Sequence, residues 1–267
     1  MRLRLFTGPD TAQAIAAARA ALGADALVLD QRRIRGGVEV TAAIDPAHEE
    51  PAPPSVILAR HGIPQPLASI LASSPLALPS RLRFAPLPPG GLMLVGPPGG
   101  GKTLATIRLA TAALYAGRSP RVADTDTRRA GQELTALLRV LGLTVHPDPT
   151  TADIVDTAGS DIFDPASRRE LPDTSATRVL VLPADLEPLG AAETARAWRD
   201  LGCTHLIATR LDLTSRLGSL LAAADTGLIL TLASLGPATG AAMTPVTPSF
   251  IARRLSREPS RSRSDAS

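Results

Sequence analysis

Residues 1–45 carry three hydrophobic patterns in succession. Arg2 to Thr7 alternates charged and apolar positions with a period of two, which predicts a strand. Asp10 then precedes a stretch in which Ile15, Ala18 and Leu22 share one helical face, so a helix capped by Asp10 follows. Two strand-like runs, 26–35 and 38–44, flank Gly36-Gly37, a hairpin signal. Together they predict a small basic α/β domain. Arg2, Arg4, Arg32, Arg33 and Arg35 either collect on one face of its sheet or are simply solvated. Prolines and acidic residues at 46–54 support neither helix nor sheet and read as a linker. Residues 55–88 are apolar but broken by Pro64, Pro66, Pro75 and Pro79, enough for two short helices that need a larger body to pack on. From 89 to 255, short apolar runs at 92–96, 121–124, 154–156, 179–183, 205–209 and 228–232 alternate with helical stretches. That alternation predicts a mostly parallel sheet with helices on both faces. The tail, 256–267, has no apolar face and reads as disordered.

Composition narrows the class. The 267 residues are 44% apolar and 20% charged, enough to bury a core. The single cysteine, Cys203, excludes an intramolecular disulfide and cysteine-ligated zinc and points to a reducing, cytoplasmic setting; its apolar surroundings predict an inert buried thiol. His48, His61, His146 and His205 show no metal-ligand spacing. No signal-peptide core and no apolar run of about 18 residues occurs, so neither secretion nor a membrane span is expected. Aromatics make up only 2% of the chain, too few for a base-stacking platform, and no specific nucleic acid is expected. Of 28 basic residues only Lys102 is a lysine. A chain that otherwise uses arginine throughout must need an ammonium at that place.

The motifs supply the need. Leu92-Met93-Leu94-Val95 leads into Gly96-Pro97-Pro98-Gly99-Gly100-Gly101-Lys102-Thr103, followed by a helical stretch. This is a phosphate-binding loop in its strand–turn–helix context. Its backbone N–H groups and the helix N-terminus face an anion, Lys102 reaches the β- and γ-phosphates, and the Thr103 hydroxyl suits Mg2+. Asp156-Thr157-Ala158-Gly159 ends a later apolar run, placing Asp156 as the second Mg2+ anchor and the Gly159 N–H at the γ-phosphate. Thr209-Arg210-Leu211-Asp212 ends another, where a base pocket belongs. Asp212 can accept from guanine N1–H and the 2-amino group, or else only cap the next helix; the stem of Arg210 can cover the base. Asp126-Thr127-Arg128-Arg129-Ala130-Gly131 places a carboxylate and a guanidinium three residues apart after the second strand. That spacing suits Asp126 to orient water and Arg129 to neutralise charge on the γ-phosphate.

These four elements, in this order, resemble the signal-recognition-particle (SRP) class of GTPases. Together with Met1–Thr7, Arg60-His61-Gly62-Ile63-Pro64 and Leu217-Gly218, they resemble its flagellar FlhF branch in a shortened form. The resemblance implies an SRP-type G domain behind a basic N-domain and a reduced helical N-type segment. It also implies GTP and Mg2+ as cofactors, GTP hydrolysis, a GTP-dependent homodimer and a role in placing or assembling the flagellum. A MinD-like ATPase regulator and peripheral contact with the inner membrane complete what it implies. Three departures bear on catalysis. Ser160 stands where the family has arginine, and the stretch after Gly131 is compressed. In addition, only 148–152 separates the strand-like 143–147 from the run ending at Asp156, whereas parallel neighbours need a crossover of about a dozen residues. Either 143–147 is no sheet strand, or a strand and helix are missing. A GTP-bound scaffold without hydrolysis, and a phosphate-loop ATPase or kinase in which Asp212 is incidental, are the alternative readings.

Overall fold

The computed structural model describes residues 2–23, 26–44, 53–65, 67–73, 78–126, 132–166 and 171–256. The chain divides into two compact units, Met1–Pro53 and Pro54–Ser267. In the first, the elements run β1 (Arg2–Gly8), α1 (Thr11–Leu22), β2 (Leu27–Ile34) and β3 (Gly37–Ile44), and the three strands form an antiparallel sheet in the order β1-β3-β2. The Asp10 carboxylate caps α1 by accepting from the Gln13 amide at 2.8 Å. Ala14 and Ala18 of α1 close over Val40 and Ala42 of β3, so small residues let the helix lie near the sheet. The arginines do not gather on one face: Arg32 and Arg33 are consecutive in β2 and project to opposite sides, with Arg32 paired to Glu39 at 2.5 Å. The sheet instead exposes leucines, Leu3 and Leu5 among them.

The second unit begins with three short helices, α2 (Pro54–Arg60), α3 (Leu67–Ser73) and the single turn α4 (Leu78–Arg81), where the proline spacing predicts two. A sheet of eight strands follows: β4 (Arg83–Phe84), β5 (Leu92–Val95), β6 (Val122–Asp124), β7 (Ile154–Asp156), β8 (Thr177–Pro183), β9 (His205–Thr209), β10 (Ile229–Ala233) and β11 (Thr244–Pro245). The spatial order is β11-β10-β9-β8-β5-β7-β6, with β4 also paired to β10. Every described pairing is parallel except β10 with β11.

Helices α5 (Lys102–Tyr115), α6 (Gln132–Val140), α7 (Pro188–Asp200), α8 (Gly218–Ala224) and α9 (Pro248–Leu255) cover the sheet. Strand β5 is buried on both sides, which is why it reads as a continuous apolar run. Leu92 and Leu94 pack with Ala105, Ile107 and Ala110 of α5 and Leu134 and Leu138 of α6. Met93 and Val95 belong to the opposite layer, built from Trp198, Leu220, Leu221, Phe250 and Ile251. Leu58, Ile63, Leu67 and Leu71 of the helical segment join that layer, so the larger body those helices require is the sheet's own second face. Cys203 is buried there as an inert thiol, its pKa pushed up to about 12 by burial.

The crossover problem at 143–147 resolves in favour of no sheet strand. Val145 makes one isolated parallel bridge to Val122, and the His146 amide donates to Val122 O at 2.7 Å. Because contact is made only at the first residue of β6, the segment never climbs the sheet. The return therefore needs no helix: the Asp153 amide already donates to Arg121 O at 2.8 Å, at the foot of the same strand.

Candidate functional site

Strand β5 delivers the chain to the C-terminal edge of the sheet at Gly96. From there the loop runs to Gly101, which precedes α5 in the left-handed conformation (φ 88°) with no side chain capping the helix. The first amides of α5 therefore remain available to an anion, with the helix dipole behind them. Lys102 is buried, and its Nζ donates to Gly96 O at 3.1 Å and Pro97 O at 3.0 Å. An ammonium curled over its own loop can make both contacts; a planar guanidinium is too broad for that place. Thr103 Oγ1 donates to Asp156 Oδ2 at 2.7 Å. The two side chains expected to hold Mg2+ are thus neighbours, brought together because β7 lies directly beside β5. The Asp156 carboxyl is pushed up to about 6, mainly by burial and against the opposing effect of the Thr103 bond. Its Oδ1 and the Thr106 hydroxyl are both buried without completing a hydrogen bond among the described residues. A hydroxyl beside a desolvated carboxylate with an unused oxygen is a hard, oxygen-only donor pair, the kind that suits Mg2+. Among the described residues no group of three or more His, Cys, Asp or Glu converges.

The segment after Asp156 is pressed against the loop. Thr157 Oγ1 donates to Leu94 O at 2.7 Å, and the Ser160 amide donates to Gly96 O at 3.2 Å. A Cβ on Gly159 would lie 2.5 Å from Pro98 Cα, so only glycine lets the two chains meet. Ser160 is buried, and its hydroxyl reaches no further than Ala158 O at 3.4 Å. A cavity of about 330 Å3 lies between these parts, lined by Gly99, Lys102, Thr103, Asp126, Glu133 and Gly159. Asp126 thus shares a cavity with the phosphate loop. Its amide donates to Asp124 Oδ1 at 2.8 Å, and burial raises the Asp124 carboxyl above its usual range. Arg129 lies outside the described residues. Glu133, on the same wall in the first turn of α6, stands in the compressed stretch after Gly131, where the sequence gives it no site role.

A second cavity, of about 300 Å3, shares Gly99, Gly101 and Leu104 with the first and continues to Thr209, Arg210, Asp212 and Ser234. Thr209 Oγ1 donates to Gly100 O at 2.7 Å. Arg210 holds positive φ (58°), the one such non-glycine residue described, and its Nη2 donates to Gly99 O at 2.6 Å. Arg210 therefore uses its guanidinium on the phosphate loop. The pocket floor rests on a residue that no motif announces. Arg108, from the buried face of α5, donates to Ser234 Oγ, to Gly236 O and, at 2.8 Å, to Ala238 O. Burial lowers its pKa and the Asp212 carboxylate opposes that shift, so the two charges sense one another. The only sequence signal was an arginine inside an otherwise apolar helical run. His61, Cys203 and the arginines of the N-terminal unit line neither cavity.

No protein-family model matches the chain, and no curated protein does. Solved structures do match. The crystal structure of FlhF complexed with GTP/Mg2+ aligns with a TM-score of 0.64 and 21% identity over 76% of this chain and 97% of its own. FlhF complexed with GMPPNP/Mg2+ gives 0.65 and 20% over 76% and 98%. The signal recognition particle receptor FtsY from Elizabethkingia anophelis gives 0.59 and 17% over 76% and 84%. The 54 kDa signal recognition particle protein from Aeropyrum pernix K1, in complex with GDP, gives 0.53 and 25% over 78% and 55%. The fold is that of the SRP-type GTPases, and it resembles FlhF.

Proposed function

We propose that the protein binds GTP with Mg2+ and hydrolyses it, as an SRP-type GTPase of the FlhF kind. The observation that carries this reading is the pair of cavities joined at Gly99–Leu104. One is walled by Lys102, Thr103 and backbone amides, the other by Asp212, and together they match the phosphates and the base of one nucleotide. FlhF structures with the same fold hold GTP/Mg2+ and GMPPNP/Mg2+. Thr103 and Asp156 would hold Mg2+, which supplies charge neutralisation at the phosphates when bound. Lys102 holds the β- and γ-phosphates, and Gly159 offers its amide to the terminal one. Asp126, on the wall of the phosphate cavity, orients the attacking water, and Arg129 neutralises charge on the γ-phosphate. Asp212 selects guanine by accepting from N1–H and the 2-amino group, which adenine lacks.

A GTP-dependent homodimer, a role in flagellar placement or assembly, a MinD-like ATPase regulator and peripheral inner-membrane contact belong to the same reading through the resemblance. Among the described residues no helix is long and apolar enough to cross a membrane. The test is titration with GTP, GDP and ATP analogues followed by size-exclusion light scattering. Preference for guanine nucleotides and dimerisation with a GTP analogue are expected; ATP binding as tight as GTP binding would favour an ATPase or kinase. Buried Ser160 at the family's arginine position favours a second reading, a GTP-bound scaffold that does not hydrolyse. GTP turnover that Asp126→Ala abolishes would exclude it.

A further inference from the structure

The turn that carries Asp212 is fixed from several sides, and one contact comes from an element the nucleotide reading does not use. Thr209 and Arg210 tie the start of the turn to Gly100 and Gly99, and the Leu211 amide donates to Ser234 O at 3.2 Å. The Leu211 carbonyl, immediately before Asp212, accepts from Arg254 Nη2 at 2.7 Å. The same nitrogen lies 3.4 Å from Thr214 O, so its two acceptors bracket Asp212 along the chain. Arg254 is in the last turn of α9, with its guanidinium 5.7 Å from the centroid of the Phe250 ring.

The helix that presents it is itself fixed. At its start the Thr247 hydroxyl accepts from the Phe250 amide at 3.1 Å, and in its middle Phe250 and Ile251 are buried. At its end His61 Nε2 donates to Leu255 O at 3.2 Å. A guanidinium on so constrained a base does not follow the turn; it holds it.

We infer that Arg254 is a positioning residue for base recognition. By gripping the backbone on both sides of Asp212 it sets where that carboxylate meets the N1–H and 2-amino edge of guanine, without touching nucleotide itself. This rests on the guanine reading of the second cavity, and it adds the C-terminal helix to the machinery that selects the base. A residue that merely stabilised the fold would weaken all nucleotides alike, whereas one that orients Asp212 alters only discrimination.

The test uses the full chain with Arg254→Met, which keeps a stem over Phe250 but removes the donors, and Arg254→Lys, which keeps one charged donor. Dissociation constants for GDP, IDP and ADP are measured beside thermal melting. In Arg254→Met, GDP affinity is expected to fall roughly tenfold, the scale of one charge-assisted hydrogen bond, and ADP affinity to move less than about twofold. The GDP-to-ADP ratio then contracts about tenfold, IDP, which lacks the 2-amino group, falls less than GDP, and Arg254→Lys is intermediate. An unchanged GDP-to-ADP ratio overturns the inference even if every affinity or the melting temperature drops. Should Arg254→Met not fold, the ratio in Arg254→Lys decides alone: partial contraction supports, none overturns. A wild-type chain that binds ADP as tightly as GDP overturns the guanine reading instead, and shows it before any variant is made.

Discussion

Lys102 shares its ammonium between the carbonyls of Gly96 and Pro97 at the base of the phosphate loop, a place reached only by a narrow, flexible donor. Lys102→Ala should weaken GDP binding by roughly a hundredfold or more, and Lys102→Arg should come close to it, because the planar fork does not fit; equilibrium titration checks both. Asp156 gives a prediction in pH. Its value of about 6 lies above the ordinary 3.8, so the folded protein holds this proton more tightly than the unfolded chain does. Its contribution to stability is present below that window, is lost as pH rises through about 6, and leaves a buried charge above it. Asp156→Asn should therefore raise the melting temperature of the nucleotide-free protein at pH 7.5. It should also remove the Mg2+ enhancement of nucleotide binding, which in the wild type fades as pH falls through 6. Lys102, Thr103 and Asp156 were legible in the sequence because fixed spacing along a strand, turn and helix implies their geometry. Arg108 was not, since its partner Ser234 lies 126 positions away and only the fold unites them.

At the scale of elements, the helical segment is joined to the sheet unit through a backbone contact at His61-Gly62. The Gly218 amide donates to His61 O at 2.9 Å, and a Cβ on Gly218 would lie 2.2 Å from Gly62 O. Gly218→Ala should therefore destabilise the protein by about 1–3 kcal/mol, lowering the melting temperature by roughly 5 °C. Gly240→Ala, with nothing within 4 Å of the added carbon, should leave it unchanged; differential scanning calorimetry of the two decides. Strands β5 to β10 were legible as apolar runs because a strand buried on both faces has no polar side. Strand β11 and helix α9 were not, because 237–247 mixes Pro, Thr and Ala with no period and β11 exists only through its pairing with β10, while α9 has only eight residues. The 143–147 segment misled in the other direction: its strand-like composition is used for one bridge.

For the whole molecule, every described residue of the two joined cavities lies in the unit Pro54–Ser267. A chain beginning at residue 54 should thus bind GDP within about twofold of the full chain, as measured by calorimetry. The position of β7 bears on how the site comes into being. It enters the sheet between β5 and β6, both of which precede it in the chain, and in the described ladders β6 pairs with no strand but β7. Strand β6 consequently has no ladder to join until β7 has arrived, and β7 brings Asp156 and Gly159 with it. Assembly of the sheet's edge and of the metal-facing side of the phosphate cavity should therefore be one step in folding. In pulse-labelled hydrogen exchange during refolding, the amides of Val122–Asp124 should gain protection together with those of Ile154–Asp156, never ahead of them.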